Sequence, residues 1–243
     1  MIGNGFLVHS DVMEKAISAV NRKQLIKKLV VFFGLSALIL AAMFFIAAGT
    51  LNYWQAWIYM AILLGPMCFV LVYFLKKNPE VLERRMRMKE KEPEQKKIIK
   101  WSYPLFLAAF LLPGLDRRFG WSAVPPWLAI AADVVVLAAY LLFVRVMREN
   151  RFLSRVVEVD QKQMVIRTGP YAVVRHPMYA AVMPMYVISP LALGSFWALI
   201  PAAAIPLILI ARIFNEEKVL GKELDGYTEY TRQVKYRLLP GIW

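Results

Sequence analysis

Apolar residues in this chain do not alternate with polar ones; they gather in long, nearly uninterrupted stretches. Leu29 to Leu51, Tyr53 to Leu75, Val124 to Val144 and Pro177 to Ala211 are almost free of charge, and each reaches the ~20 residues a helix needs to cross a hydrocarbon core. The last stretch is long enough for two spans. Pro190, Gly194 and Ser195 punctuate its middle, so it predicts a helical hairpin of 177–192 and 196–213. A weaker stretch, Ile98 to Leu115, is interrupted by Pro104 and Pro113 and either crosses or re-enters. The pattern as a whole predicts an all-α, polytopic membrane helix bundle in one domain, with about six transmembrane helices, or five if the third segment is re-entrant.

The placement of basic residues tests that count. With the amino terminus in the cytoplasm, every Lys and Arg except Arg117 and Arg118 falls in a cytoplasmic segment, as the positive-inside bias requires. Both termini and the carboxy-terminal segment are then cytoplasmic. The net charge of +13 flanks the spans and meets anionic lipid headgroups, which argues for membrane lipids as partners and against nucleic acid. The single cysteine, Cys68, lies inside the second span and excludes a disulfide framework. Only His9 and His176 are histidines, too few for the histidine clusters of membrane desaturase metal centres, so no metal is expected.

Before the first span, residues 1–28 carry Asp11 and Glu14 at capping-box spacing and apolar residues at Val12, Ala16, Ile17 and Val20, predicting an amphipathic interfacial helix. The loop "KKNPEVLERRMRMKEKEPEQKK" reads as a short helix with a solvated, charged face between Pro79 and Pro93. Asp133 sits well inside the fourth span, where an ionisable group is costly unless it faces protein or water.

Most of the candidate chemistry is in the last third. In "TGPYAVVRHPMYAAV", Pro177 falls at the first position of an apolar helix, which puts His176 at the helix start among free backbone donors. Tyr179 shares a face with His176, and Arg175 adds charge to the same seat. At the far end of the hairpin, "ARIFNEEKVL" sets Arg212 and Glu216 four apart on one helical face with Glu217 beside them, the weaker order for a purely stabilising pair. An arginine there can grip a carboxylate with two parallel hydrogen bonds. Because a hairpin returns the chain to the side it left, the two clusters are expected to share one cytoplasmic pocket.

At these residues the chain resembles the isoprenylcysteine carboxyl methyltransferase family and its phospholipid methyltransferase relatives. The resemblance covers roughly 150–243: Gly169 and Tyr171, then Arg175, His176, Pro177 and Tyr179, an apolar hairpin, Arg212, Glu216 and Glu217, then Tyr227, Tyr230 and Pro240. It implies methyl transfer from S-adenosylmethionine to a lipid or lipidated acceptor, most of all the carboxylate of an isoprenylcysteine-like substrate. It also implies cofactor contacts from Gln163, Met164, Val165, Ile166, Tyr171, His176, Pro177, Met178, Tyr179 and Glu217, and a substrate-gripping pair in Arg212 and Glu216. Where relatives carry a further cofactor-holding glutamine this chain reads "VVEVDQKQ", and neither Glu158 nor Asp160 is that residue. The rival readings are a phospholipid amine N-methyltransferase, an NADPH-dependent enzyme of the sterol-reductase type, and a membrane protein or transporter without catalysis.

Overall fold

The computed structural model describes residues 4–161 and 163–243, with side chains from Arg22 onward. Its helices are α1 (Asn4–Ala48), α2 (Trp54–Lys77), α3 (Pro79–Arg85), α4 (Pro93–Phe119), α5 (Pro126–Glu149), α6 (Pro177–Ala192), α7 (Leu199–Glu223) and α8 (Tyr227–Gln233), and no strand occurs among the described residues. Residues 1–41 form one compact unit and 42–243 a second. Proline opens α3, α4, α5 and α6; its fixed φ suits a first helical turn, where the missing N–H has no partner to lose.

Among the described residues, five helices are long and apolar enough to cross a membrane: α1 from Arg22, α2, α4, α5 and α7. Large apolar side chains such as Phe69, Val134, Ile200 and Leu207 lie exposed on them, a surface suited to lipid and not to water. The chain is an integral membrane protein. The segment whose crossing was in doubt at the sequence level, Ile98 to Leu115, lies within the unbroken α4, which runs through both Pro104 and Pro113. The shortest apolar helix is instead α6, with 16 residues.

At its amino-terminal end, α1 runs as one helix from Asn4 to Ala48. The amphipathic face read from Asp11 to Val20 lies outside the described side chains. Within the second unit, α5 packs against α6, α4 against α7, and α6 against α7. Helix backbones approach closely where Gly114 of α4 meets α1: a Cβ there would lie 2.6 Å from the Ala47 Cβ, so only a small residue permits the contact.

The hairpin turn comes slightly later than its punctuation implied. Pro190 belongs to α6 and the chain reverses between Leu193 and Ala198, with Gly194 in the left-handed region at φ +79. This end is pinned by polar contacts: Asp116 accepts from the Ser122 and Ser195 hydroxyls at 2.5 Å each, and the Tyr59 hydroxyl pairs with Ser189 at 2.6 Å. Asp133 is 2% exposed, and both its oxygens lack a partner among the described residues.

Candidate active site

The start of α6 carries the opening part of the site. A single 3₁₀ turn at Gly169–Ala172 precedes it, and Gly169 sits at φ +57 with the Glu149 carboxylate 2.7 Å from where a Cβ would stand. Only glycine meets both demands. The turn is fixed from beneath by Tyr230, whose hydroxyl donates to the Tyr171 carbonyl at 2.7 Å, while the Tyr171 hydroxyl accepts from Asn150 at 2.9 Å. Burial pushes the Tyr171 hydroxyl well above its ordinary pKa and Tyr230 up to about 12 against the opposing charges of Arg175 and Arg167. Both phenols remain neutral hydrogen-bonding groups at physiological pH.

His176 occupies the N-cap position of α6, but its side chain does not cap the helix. Its Nε2 lies 3.2 Å from Glu217 Oε1 in α7, and Arg175 reaches the same oxygen at 2.9 Å. Arg237 engages the other oxygen at 2.9 Å. One carboxylate thus gathers three basic side chains from two segments. Backbone bonds reinforce it, with the N–H groups of Arg175 and His176 donating to the Tyr236 and Arg237 carbonyls at 2.9 Å each. The carboxy-terminal tail is thereby fastened to the start of α6.

One turn earlier in α7, Arg212 and Glu216 share a helical face without a direct ion pair; no carboxylate lies within ion-pairing distance of Arg212 among the described residues. A buried phenol stands between them. The Tyr179 hydroxyl donates to Glu216 Oε2 at 2.7 Å and accepts from Arg212 Nε at 3.5 Å, while Arg212 Nη2 reaches the Arg155 carbonyl at 3.4 Å. Among the described residues, relaying through Tyr179 leaves the guanidinium without a directly paired carboxylate and one Glu216 oxygen without a hydrogen bond.

These groups border one recess, whose empty space of about 870 Å³ includes the solvent at its mouth. Gln163, Met164, Val165 and Ile166 form one wall without strand geometry; Tyr171, His176, Pro177, Met178 and Tyr179 form the next, and Arg212 and Glu216 face them. Glu217 does not line the recess. It stands behind the wall and holds its basic residues.

Two contributors escaped the sequence reading. One is the segment from Asn150 to Glu158, and the other is Leu220 and Leu224 at the carboxy-terminal side, beside Tyr227 and Tyr230, which the sequence pattern singled out without a role. The first is held by the basic loop after α2, which is therefore not a purely solvated face. Arg84 pairs with Asp160 at 3.0 Å, Arg87 and Lys91 pair with Glu158, and Arg85 donates to the Ser154 carbonyl at 3.1 Å. Burial alone would raise the Glu158 pKa, but Arg87 and Lys91 outweigh it and hold the carboxyl below its ordinary value. Bases at 84–91 and acids at 158–160 were the available signal. Their separation hides it from any local pattern.

Residues 127–222 match the model of the isoprenylcysteine carboxyl methyltransferase (ICMT) family. No curated protein matches it by sequence. Among solved structures, it is similar to the eukaryotic intramembrane Ras methyltransferase ICMT, at 16% identity over 97% of this chain and 94% of that one, with a TM-score of 0.46.

Proposed function

We propose that this chain, whose α5–α7 region carries the isoprenylcysteine carboxyl methyltransferase pattern, transfers a methyl group from S-adenosylmethionine to the carboxylate of a lipophilic, isoprenylcysteine-like acceptor at the cytoplasmic side of a membrane. The observation that carries the choice of carboxylate is Arg212: a guanidinium on the recess wall, oriented by Tyr179 and lacking a carboxylate of its own. Arg155 shares the wall, also without an acidic partner among the described residues, and Arg85 stands just behind it against Met178 at 3.7 Å. Three guanidiniums favour an anion and repel an ammonium. That disfavours an amine acceptor.

The residues present suit the methyl donor. Aromatic rings of Tyr171, Tyr179, Tyr227 and Tyr230 line one side of the recess with Glu216, and π faces and a carboxylate both favour a cation. Tyr171, His176 to Tyr179 and the wall from Gln163 to Ile166 would hold it. When bound, the donor supplies an electrophilic methyl group on a positively charged sulfur. The chain's own residues then align the reactants. Arg212 holds the acceptor carboxylate ionised and turned toward the donor side, which requires no general base because a carboxylate already carries its lone pair at neutral pH. Tyr179 fixes the guanidinium.

The experiment is methyl transfer by the purified protein in detergent, with methyl-labelled donor and either a prenylated cysteine with a free carboxylate, its carboxamide, or phosphatidylethanolamine. Label appearing only with the free acid, and released by mild base as methanol, supports carboxyl methylation. Base-stable label on the phospholipid overturns it, and binding of NADPH without binding of S-adenosylmethionine overturns the methyltransferase reading altogether.

A further inference from the structure

A second hollow lies away from the recess. At the other end of α7, Leu112 and Trp121 from the α4 side meet Trp197, Ile200 and Pro201 of the hairpin around a groove of about 800 Å³, the open space at its mouth included. Ile200 and Arg212 lie on the same helix, and their separation along it puts the groove ~18 Å from Arg212. The spacing of its two sides is set by Asp116, which accepts from the Ser122 and Ser195 hydroxyls and so ties the end of α4 to the hairpin turn. Trp121, Trp197 and Ile200 are all exposed, an apolar lining that calls for an apolar occupant. Neither indole N–H has an acceptor among the described residues, whereas that of Trp57 at the same end donates to the Leu51 carbonyl at 2.9 Å.

Charge selects among apolar occupants. Trp121 stacks on Phe119 at 5.4 Å between ring centroids, and the Arg118 guanidinium lies over Phe119 at 5.7 Å. Arg118 is exposed and forms no ion pair among the described residues; Arg117 forms none either and donates to the Asn52 carbonyl at 3.0 Å. In the segments that meet here, 49–53, 116–125 and 193–198, the one carboxylate is that of Asp116, which is 1% exposed and engaged by serine hydroxyls. The rim therefore offers guanidiniums to a phosphate and no exposed acid to a choline or ethanolamine ammonium. Between Leu112 and Arg118 the helix rises ~9 Å, so the groove begins below the charge, as a hydrocarbon chain lies below its headgroup.

We propose that this groove seats an acyl chain of an anionic phospholipid whose phosphate is held by Arg118. Tryptophans at the rim suit the level where chain meets headgroup, with the lipid ester oxygens as acceptors for the indoles. The site is distinct from the recess and does not depend on the reaction assigned there.

Titration of the delipidated full-length protein in detergent, read by native mass spectrometry, tests it with three probes: dioleoylphosphatidylglycerol, dioleoylphosphatidylcholine and glycerol phosphate. The wild-type protein should bind one phosphatidylglycerol about tenfold more tightly than phosphatidylcholine, the scale of one hydrogen bond to a charged group, and glycerol phosphate not at all. Arg118→Gln should erase that preference, and Ile200→Trp, which fills the groove, should weaken both lipids alike. Equal affinity of the wild-type protein for the two lipids overturns the proposal, as does a preference that survives Arg118→Gln. Lipid binding untouched by Ile200→Trp, or glycerol phosphate bound as tightly as lipid, removes the chain from the groove and overturns it as well. A dimer of the delipidated protein that Ile200→Trp dissociates would make a second copy of the chain the occupant instead. Should Ile200→Trp fail to fold, Trp197→Ala takes its place, with the same loss expected because it removes one side of the groove.

Discussion

The hydroxyl of Tyr179 donates to Glu216 at 2.7 Å from across the helical hairpin. Arg212, one turn earlier in α7, donates from Nε to that Tyr179 hydroxyl at 3.5 Å. A neutral phenol between a base and an acid keeps them oriented without letting them cancel. Replacing Tyr179 with Phe should cost about 1.5–3 kcal/mol of stability, since a carboxylate loses its buried donor. Turnover should fall further than that loss alone explains, because Arg212 is freed to collapse onto Glu216. Thermal denaturation beside steady-state kinetics separates the two effects; a variant with full turnover would show that Tyr179 only packs.

Arg212 bears on the acceptor. Arg212→Ala should reduce kcat/KM for a prenylated carboxylate by the equivalent of roughly 2–5 kcal/mol, the range for a desolvated charge contact, while the affinity for S-adenosylmethionine changes little. Arg212→Lys should recover part of the loss, as an ammonium keeps the charge but not the two parallel bonds. Loss of donor binding with intact acceptor binding would mean the two halves of the recess are assigned the wrong way round.

Glu217 serves Arg175, His176 and Arg237 together. Glu217→Gln leaves two guanidiniums without their shared carboxylate and should lower stability by about 2 kcal/mol, less than for a fully buried pair because the group is partly accessible. The tail from Lys235 onward should become the first site of cleavage in limited proteolysis. An unchanged digestion pattern would locate the fastening in the backbone bonds alone.

The strap between the α3 loop and residues 154–160 should depend on pH. Glu158 has a folded pKa below its ordinary value, so its contribution is present above that ordinary value and disappears as pH falls through the lower, folded one. Acidification below the usual glutamate range should therefore loosen the strap, read by hydrogen exchange at Ser154 to Val157, and added salt should act in the same direction on these partly exposed pairs. Glu158→Gln should remove the acid dependence at those amides. If exchange there ignores both acid and the substitution, the ion pairs do not hold the strap.

Much of this was legible in the sequence because it is encoded locally. Apolar run length gave the spans, Pro177 gave the start of α6, and the spacing of Arg212 and Glu216 gave a shared face. Helix limits were less accessible: α4 passes through Pro104 and Pro113, and α7 continues to Glu223 well past its apolar part. A membrane segment tolerates proline where neighbouring helices support the freed backbone groups, which no one-dimensional pattern records. The Tyr179 relay and the pairing of Arg84 with Asp160 were invisible for a related reason. Each joins residues distant in sequence, and the partner of a charged side chain is set by the fold.

All residues bordering the recess fall between Asn150 and Tyr230. Among the described residues the first two helices supply none of its surface, and their lipid-facing positions are constrained by thickness and lipid fit alone as far as the pocket is concerned. Substitutions at exposed positions of α1 such as Val30, Leu35 and Leu38 that preserve hydropathy should leave ligand affinities untouched while altering which bilayers the protein tolerates. The front of the chain thus works as an exchangeable mount, free to drift with the membrane that an organism happens to make.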